Sequence, residues 1–324
     1  MKKENYSHSR RDFISKSILA GTLLPIAQGI AHAGTAVNLP ATSPLKVHIF
    51  SKHLQFLNYR DMASAAAEIG FDGVDLTVRP NGHVLPEKVE TDLPKAVDAI
   101  RKAGLMNTMM TTAVENAASP TDKRVLETAA KLGVELYRMN WFRYPENKTI
   151  PEAIGQFQQA INDLGMLNKK MGLKGCYQNH SGELAGASIW ELWDMVHTAD
   201  NAYIGVQYDI RHAVVEGGLS WKNGLRLIHP HIKLLAIKDF VWRKENGKYV
   251  VQDVPLGEGM VDFTTYFRLL KQYNIQVPVS LHFEYELGGA EHGQSKISVA
   301  KEVVFSAMKR DLGKLREMWA AAWG

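Results

Sequence analysis

From Pro44 onwards, eight short apolar segments alternate with longer amphipathic segments. The apolar segments are rich in Val, Ile and Leu without regular polar alternation, which is typical of parallel strands buried on both faces. Glycine follows several amphipathic segments, as at Gly70 and Gly172, where it suits the left-handed end of a helix. Eight strands with intervening helices in about 240 residues predict an α/β protein with a closed (β/α)8 TIM barrel.

The predicted strands are Val47–Phe50, Val74–Leu76, a segment beginning at Leu105, Val134–Met139, Leu173–Tyr177, Tyr203–Tyr208, Ile232–Ile237 and Val277–Leu281. The predicted helices are Tyr59–Ile69, Leu93–Ala103, Asp122–Leu132, Pro151–Met171, Ser188–Thr198, Trp221–Ile228 and Phe263–Tyr273. A small hairpin is predicted over Val241–Val251, after strand 7, and an extra C-terminal helix over residues 294–321. A doubly wound sheet is the alternative, although no G-x-G-x-x-G motif follows an early strand.

The first 33 residues have the pattern of an export signal. Arg10 and Arg11 precede an apolar stretch from Ile18 to Ile30, and residues 31–33 (Ala-His-Ala) match a cleavage site. The apolar stretch is shorter than the roughly 20 residues that span a bilayer, so we expect no stable membrane insertion. The sequence therefore predicts a twin-arginine signal over residues 1–33, a linker over 34–44 and one barrel domain over 45–324. A periplasmic or otherwise exported location follows.

The distribution of charge argues against a nucleic-acid partner. The formal net charge is +4, and residues 1–33, with five basic and two acidic side chains, contribute +3 of it. The other 291 residues therefore carry +1, with no run of Lys and Arg that would follow a phosphate backbone. Self-association into an oligomer stays open.

Polar residues cluster at the ends of the predicted strands, where the active site of a TIM barrel lies. We predict that six of them face one cavity: Gln178, His180, Asp209, Lys238, His282 and Glu284. The predicted catalytic residues are His212, Lys238, His282 and Glu284, and the predicted substrate-binding residues are Arg79, His83, Asn140, Trp141, Gln178 and Arg211. An imidazole beside a carboxylate forms an acid–base pair or binds a divalent ion. Because neither Asp209 nor Glu284 has an evident local role in a helix cap, we expect both to matter more for function than for folding.

Four segments resemble the sugar isomerase/epimerase-like proteins with a xylose-isomerase-type barrel. They are residues 68–75 (E-I-G-F-D-G-V-D), Gln178-Asn179-His180 at strand 5, Asp209-Ile210-Arg211-His212 at strand 6, and residues 257–263 (G-E-G-M-V-D-F). The resemblance covers roughly residues 45–290.

The resemblance implies one Mn²⁺-, Mg²⁺- or Zn²⁺-like ion held by Glu, Asp, His and Glu on strands 5 to 8. Of these positions only Asp209 matches, because Gln178 and Ala236 replace the strand 5 and strand 7 ligands and the strand 8 ligand is either His282 or Glu284. A rebuilt site would use two imidazoles and two carboxylates, a set that suits a divalent metal. Those predicted metal ligands are His180, Asp209, His282 and Glu284. Without an ion, Lys238 would polarise the substrate carbonyl while His282 or His212 moves the proton.

The chemistry implied by the resemblance is removal of a proton next to a carbonyl, with the resulting enediolate stabilised by a cation. The leading hypothesis is a carbohydrate isomerase or epimerase acting on an unphosphorylated sugar or keto-sugar. The second is a lyase or hydratase acting on a keto-sugar or 3-keto-glycoside. The third is a barrel that binds sugar without catalysis.

Overall fold

Eight parallel strands close into a barrel in the computed structural model, which describes residues 45–324. The barrel strands are β1 (Val47–Phe50), β2 (Gly73–Val78), β3 (Met106–Thr112), β4 (Leu136–Arg138), β5 (Lys174–Gln178), β6 (Ile204–Asp209), β7 (Ile232–Ile237) and β10 (Val279–Leu281). The first strand pairs with both β2 and β10, so Val47 lies opposite Val279 and the sheet has no free edge. The predicted TIM barrel is therefore confirmed.

The helices lie between the strands and after the last one. They are α1 (Tyr59–Ile69), α2 (Val89–Lys102), α3 (Pro120–Lys131), α4 (Ile150–Met171), α5 (Ile189–Val196), α6 (Ile210–Gly217), α7 (Trp221–Ile228), α8 (Phe263–Gln272) and α9 (Lys301–Trp323). The described part of the chain also contains five 3₁₀ turns, which are Ser51–Leu54, Pro86–Lys88, Gly218–Ser220, His229–His231 and Ala290–His292. None of the helices in residues 45–324 combines the length and the apolarity that a membrane crossing requires.

Local signals explain where the longer helices begin and end. The side chain of Asn58 accepts a hydrogen bond from the backbone N–H of Asp61 at the start of α1, and Thr149 with Glu152 forms a capping box on α4. Both helices end at a glycine in the left-handed region, with φ of 106° at Gly70 and 72° at Gly172. A side chain at these two positions would strain the backbone.

Side chains alternate between two sides of the barrel wall. Met109, Leu136, Cys176 and Leu234 form a small buried cluster, separate from the large apolar core that includes the helices. Two residues further along their strands, on the same side of the wall, come Thr111, Arg138, Gln178 and Ala236. The inner face of the barrel thus changes from apolar to polar towards the C-terminal end of the strands.

Apart from shifts of a few residues at the ends of other elements, the structure differs from the sequence prediction in three places. Helix α6, which begins directly after β6, was not predicted, because residues 209–212 were placed at the end of strand 6, whereas the side chain of Asp209 caps a helix there. The hairpin is longer than predicted and consists of β8 (Asp239–Glu245) and β9 (Lys248–Val254). Helix α9 begins at Lys301 instead of residue 294, because the preceding segment bonds to the rim, where the backbone N–H of Ser298 donates to the carbonyl of Gly288. The predicted export signal (1–33) and the predicted linker (34–44) lie outside the described residues.

Candidate active site

Asp209 is the last residue of β6 and is fully buried. Its Oδ1 accepts the backbone N–H of His212 at 3.1 Å, and its Oδ2 accepts the amide N–H of Gln178 at 2.9 Å. The ammonium of Lys238 lies 3.4 Å from the same Oδ2. Asp209 also begins α6 as its N-cap, so the expectation that it has no helix-capping role was wrong. This carboxylate serves both the site and the local backbone.

The orientation of the Gln178 amide follows from its neighbours. Arg138 donates from a guanidinium nitrogen to Oε1 of Gln178 at 2.9 Å, while Nε2 of Gln178 donates to Asp209. A guanidinium can only donate and a carboxylate only accept, so the reversed amide would lose both hydrogen bonds. Gln178 therefore presents an N–H to Asp209 and cannot act as a base or as an anionic metal ligand.

Glu284 lies between two lysines. Its Oε1 is 2.9 Å from Nζ of Lys52, and its Oε2 is 2.8 Å from Nζ of Lys238. Burial alone would raise the pKa of Glu284, but the two ammonium groups lower it well below its usual range. Burial alone would lower the pKa of Lys238, but Asp209 and Glu284 raise it. Glu284 is thus a carboxylate and Lys238 an ammonium at neutral pH.

His282 has one ring nitrogen held and one without a partner. The hydroxyls of Thr111 and Ser280 donate to the buried carboxylate of Asp75 at 3.0 and 2.6 Å, and Nε2 of His282 lies 3.2 Å from the Ser280 hydroxyl. Because the Ser280 proton is directed to Asp75, Nε2 of His282 is the donor to Ser280, which leaves Nδ1 unprotonated. This Nδ1 has no hydrogen-bond partner in the described part of the chain and lies 3.8 Å from Oε1 of Glu284. Burial lowers the pKa of His282 to about 3, so the ring is neutral.

In His212 it is the other ring nitrogen, Nδ1, that is held by hydrogen bonds. Its Nδ1 accepts the backbone N–H of Ser181 at 3.1 Å and an N–H of Arg211 at 3.0 Å, so the ring proton lies on Nε2, 3.6 Å from Oδ2 of Asp209. Burial and Lys238 lower the pKa of His212 well below its usual range. His212, which was predicted to move a proton, is therefore neutral. Its Nε2–H faces Asp209, and the lone pair of its Nδ1 already accepts hydrogen bonds from Ser181 and Arg211.

Five of the six residues predicted to face one cavity form one connected set: Gln178, Asp209, Lys238, His282 and Glu284. His180 stands apart from them, because its Nδ1 lies 2.9 Å from the carbonyl of Ser181 and its ring packs against Trp141 and His212. In residues 45–324 no group of three or more His, Cys, Asp or Glu side chains is placed to hold a metal ion. The four predicted metal ligands, His180, Asp209, His282 and Glu284, do not form one coordination group here, since Lys238 lies between the two carboxylates.

The predicted substrate-binding residues have different surroundings. Arg211 is bound by both oxygens of Asp253 on β9 at 3.0 Å, so it fastens the hairpin to the rim instead of offering a free guanidinium. The amide nitrogen of Asn140 donates to Glu115 at 2.5 Å, and the ring nitrogen of Trp141 donates to the carbonyl of Gln178 at 3.0 Å.

Two further members of this predicted set, His83 and Arg79, come from the loop after β2. His83 lines a cavity of about 540 Å³ together with Gln55 and Asn81. Arg79 is half-buried, and its guanidinium carbon lies 5.6 Å from the centre of the Phe50 ring.

The segment of residues 257–263 acts through the backbone. The carboxylate of Asp239 accepts hydrogen bonds of 2.9 to 3.2 Å from four backbone N–H groups, which are those of Phe240, Gly257, Gly259 and Val261. A Cβ at Gly259 would lie 2.1 Å from Oδ1 of Asp239. Asp262 accepts the backbone N–H of Thr265 and begins α8. This motif therefore shapes the loop beside Lys238.

Sequence reasoning missed several members of the site. Lys52 was not predicted as a site residue, although it follows β1 at the same rim, and Ser280 precedes His282 by two residues and so shares its face. The two-residue period of a strand could therefore have identified both positions as members of the site. No sequence pattern could have identified Asp253, because its contact with Arg211 depends on the position of a hairpin strand 42 residues further along the chain.

A model of the family described as "Xylose isomerase-like TIM barrel" matches residues 63–301. The chain belongs to this family. Among curated proteins, "Putative L-ribulose-5-phosphate 3-epimerase SgbU" of Haemophilus influenzae is 26% identical over 158 residues, which are 47% of this chain and 52% of that protein. The chain thus spans about half the length of the curated relative that it matches.

Solved structures with the same fold include sugar epimerases. A D-psicose 3-epimerase with D-tagatose from Clostridium cellulolyticum H10 is 15% identical, with a TM-score of 0.63 over 85% of this chain and 99% of that chain. The 3-keto-D-glucoside 4-epimerase from E. coli is 14% identical, with a TM-score of 0.62 over 84% and 99%. A family protein from Mycobacterium smegmatis, solved in complex with magnesium, is 12% identical, with a TM-score of 0.60 over 85% and 97%.

Proposed function

We propose that this protein is a carbohydrate epimerase or isomerase that removes a proton next to a carbonyl of an unphosphorylated sugar or keto-sugar. The observation that carries the proposal is Lys238, an ammonium held between Asp209 and Glu284 at the C-terminal end of the barrel. Loss of such a proton places negative charge on the carbonyl oxygen, and a fixed cation in a water-poor site stabilises that charge. The relatives named as epimerases support the same class of reaction.

The exposure of the two carboxylates supports different roles for them. The side chain of Glu284 is 23% exposed, whereas that of Asp209 is fully buried and capped by donors. Glu284 is therefore the carboxylate that substrate reaches, and it takes the proton from carbon while Lys238 faces the carbonyl oxygen. The free Nδ1 of His282, 3.8 Å from Oε1 of Glu284, takes this proton from Glu284, and the resulting imidazolium is the donor that returns it to carbon. Return of the proton to the same carbon from the other face gives an epimer, and return to the neighbouring carbon gives an isomer.

Gln178 favours a second candidate, a lyase or hydratase on a keto-sugar or 3-keto-glycoside. At the strand 5 position, where the resemblance implies a glutamate, this chain has an amide whose N–H is bound to Asp209. With proton transfer confined to one face, the carbanion expels the oxygen on the next carbon, which leaves as an alcohol or water after protonation, and an alkene forms.

Incubation of the protein with keto-sugars and 3-keto-glycosides in D₂O tests these candidates. An epimerase or isomerase incorporates deuterium next to the carbonyl and yields a rearranged sugar, whereas a lyase yields an unsaturated product. Glu284→Gln should abolish incorporation, and Glu286→Gln, an exposed neighbour on the same segment, should not. If binding is measurable but no sugar exchanges, the non-catalytic barrel replaces both proposals.

We also propose that the reaction needs no divalent ion, with Lys238 supplying the positive charge. The support is chemical: Gln178 and Ala236 offer no ionic ligand, and an ammonium 2.8 Å from Glu284 repels a second cation at the same place. Treatment with a chelator should leave the exchange rate unchanged. Loss of exchange that magnesium or manganese restores would contradict this proposal.

We propose export through the twin-arginine route on the basis of Arg10, Arg11 and the cleavage pattern at residues 31–33. Replacement of both arginines by lysine should leave the precursor in the cytoplasm. Unchanged export of the double variant, measured by cell fractionation, would contradict it.

A further inference from the structure

The segment that carries Glu284 leaves the barrel sheet before it reaches that residue. Strand β10 ends at Leu281, and the next backbone N–H, that of His282, still donates to the carbonyl of Ile237 on β7 at 3.0 Å. Residues 282–289 belong to no helix or strand. The hydrogen bonds of the sheet therefore do not fix the backbone at Glu284, and contacts from outside the sheet must orient it.

One contact on each side of Glu284 holds this segment. Before it, the backbone N–H of Phe283 donates to Nε2 of His53 at 3.0 Å. After it, the hydroxyl of Tyr285 donates to Oδ2 of Asp311 at 2.8 Å. Asp311 belongs to α9 and is only 1% exposed. The side chain of Tyr285 is thus directed to the C-terminal helix, while that of Glu284 is directed to the lysines of the site.

Arg310 fixes the direction of the hydrogen bond between Tyr285 and Asp311. Its Nη2 donates to the phenolic oxygen of Tyr285 at 3.1 Å, and its Nε donates to Oδ1 of Asp311 at 2.9 Å. Because a guanidinium can only donate, the Tyr285 oxygen accepts from Arg310 and gives its own proton to Asp311. Burial raises the pKa of Tyr285, so the hydroxyl keeps this proton.

Asp311 is also bonded to the loop beside Lys238. Its Oδ2 accepts the backbone N–H of Leu256 at 3.3 Å. The next backbone N–H, that of Gly257, donates to Asp239 at 3.0 Å, and Asp239 follows Lys238 directly in the chain. One buried carboxylate of α9 is therefore tied to the backbone on the lysine side of the site as well as to the segment that carries the glutamate.

We propose that Asp311 and Tyr285 are positioning residues that hold the carboxylate of Glu284 at its distances of 2.8 and 2.9 Å from Lys238 and Lys52. This inference rests on the proposed function for the role of Glu284 as the base. A catalytic group displaced by about 1 Å costs on the order of 10²-fold in rate. A misplaced base weakens the transition state more than the bound substrate, so its effect falls on kcat and not on KM.

Tyr285→Phe removes only one hydroxyl and is the mildest test. With a keto-sugar that the native protein exchanges in D₂O, we expect kcat to fall about 10-fold or more and KM to stay within about 2-fold. Asp311→Ala should give the same loss, and Asp311→Asn, which keeps an oxygen acceptor for Tyr285, should restore most of it. The double variant of Tyr285→Phe and Asp311→Ala should be no slower than Asp311→Ala alone, because the two side chains act through one contact.

Arg316→Gln is the matched control for a general loosening of α9. Arg316 donates to the carbonyl of Gly70 at 2.9 Å and lies 3.2 Å from Asp72, away from Tyr285. This variant should lower Tm and leave kcat unchanged. An equal fall of kcat in Arg316→Gln and Tyr285→Phe would mean that stability alone is measured, and the positioning role would be refuted.

Amide hydrogen exchange followed by mass spectrometry needs no substrate. Peptides covering residues 282–287 should exchange about 10-fold faster in Tyr285→Phe and at the native rate in Arg316→Gln. Native protection in Tyr285→Phe would overturn the proposal. Faster amide exchange in that variant, with no sugar exchanged by the native protein, would overturn the epimerase proposal and leave the positioning of Glu284 in place. An active native protein with a normal kcat in Tyr285→Phe would do the reverse.

Discussion

Replacement of Lys238 by Met removes the cation between Asp209 and Glu284 while keeping an unbranched side chain of similar length. The two contacts, at 2.8 and 3.4 Å, correspond to about 5–6 kcal/mol of attraction each at an effective dielectric constant of about 20. Desolvation of the lysine opposes most of this, and removing one partner of a buried ion pair costs about 3–5 kcal/mol. At about 2 °C per kcal/mol for a chain of this size, we expect Tm to fall by about 6–10 °C.

The pH dependence gives the sharper test. In the native protein the two lysines hold the pKa of Glu284 well below its usual range, so its contribution to stability is present above its ordinary pKa of about 4.3. That contribution is lost only as the pH falls through the lowered pKa. Without Lys238 the pKa values of both Glu284 and Asp209 rise. As the pH falls, these carboxylates then bind protons, which removes the negative charge that Lys238 would have balanced. The loss of Tm in the variant should therefore be larger at pH 8 than at pH 5.

Thermal unfolding followed by circular dichroism at both pH values measures this, with Lys244→Met on the exposed hairpin as the control. The deuterium exchange rate should fall at least 10²-fold in Lys238→Met and stay unchanged in Lys244→Met. An unchanged Tm at both pH values would refute the argument that Lys238 balances the two carboxylates.

Three other substitutions test separate parts of the site. Glu284→Gln should reduce the exchange rate at least 10²-fold while the protein stays folded, and Glu286→Gln should leave it near the native value; normal turnover of Glu284→Gln would place the base elsewhere. Ser280→Ala removes the hydroxyl that selects the tautomer of His282, so kcat should fall and the pH profile of kcat should shift. Ser280→Thr, which keeps the hydroxyl, should restore both. An unaltered pH profile in Ser280→Ala would show that Ser280 does not position His282. Gly259→Ala places a Cβ against Asp239 and should lower the free energy of unfolding by about 1–3 kcal/mol, whereas Gly313→Ala in α9, which meets nothing within 4 Å, should not; equal unfolding curves for the two would contradict the loop packing.

The sequence alone determined the barrel and the end of it at which the candidate site is expected. Eight apolar segments without polar alternation require strands buried on both faces, and the helices between them cover the outer face of the sheet. Because parallel strands share one direction, Gln178, Asp209 and Lys238 had to meet at one rim whatever the details of packing. The two-residue period likewise put His282 and Glu284 on one side of the chain.

The tertiary structure decided which of those polar groups act on one another. The sequence allowed Lys238 to point to solvent and His180 to join a metal site; packing brings Lys238 between two carboxylates and turns His180 towards Ser181. Arg211 forms a bidentate ion pair with Asp253 of the hairpin, while Nε of Arg138 has no hydrogen-bond partner within residues 45–324. These outcomes depend on distances between residues far apart in the chain, and the energy of a buried charge changes by several kcal/mol with the presence of one partner. No local pattern encodes such pairing, because it is fixed only when the strands close into the barrel.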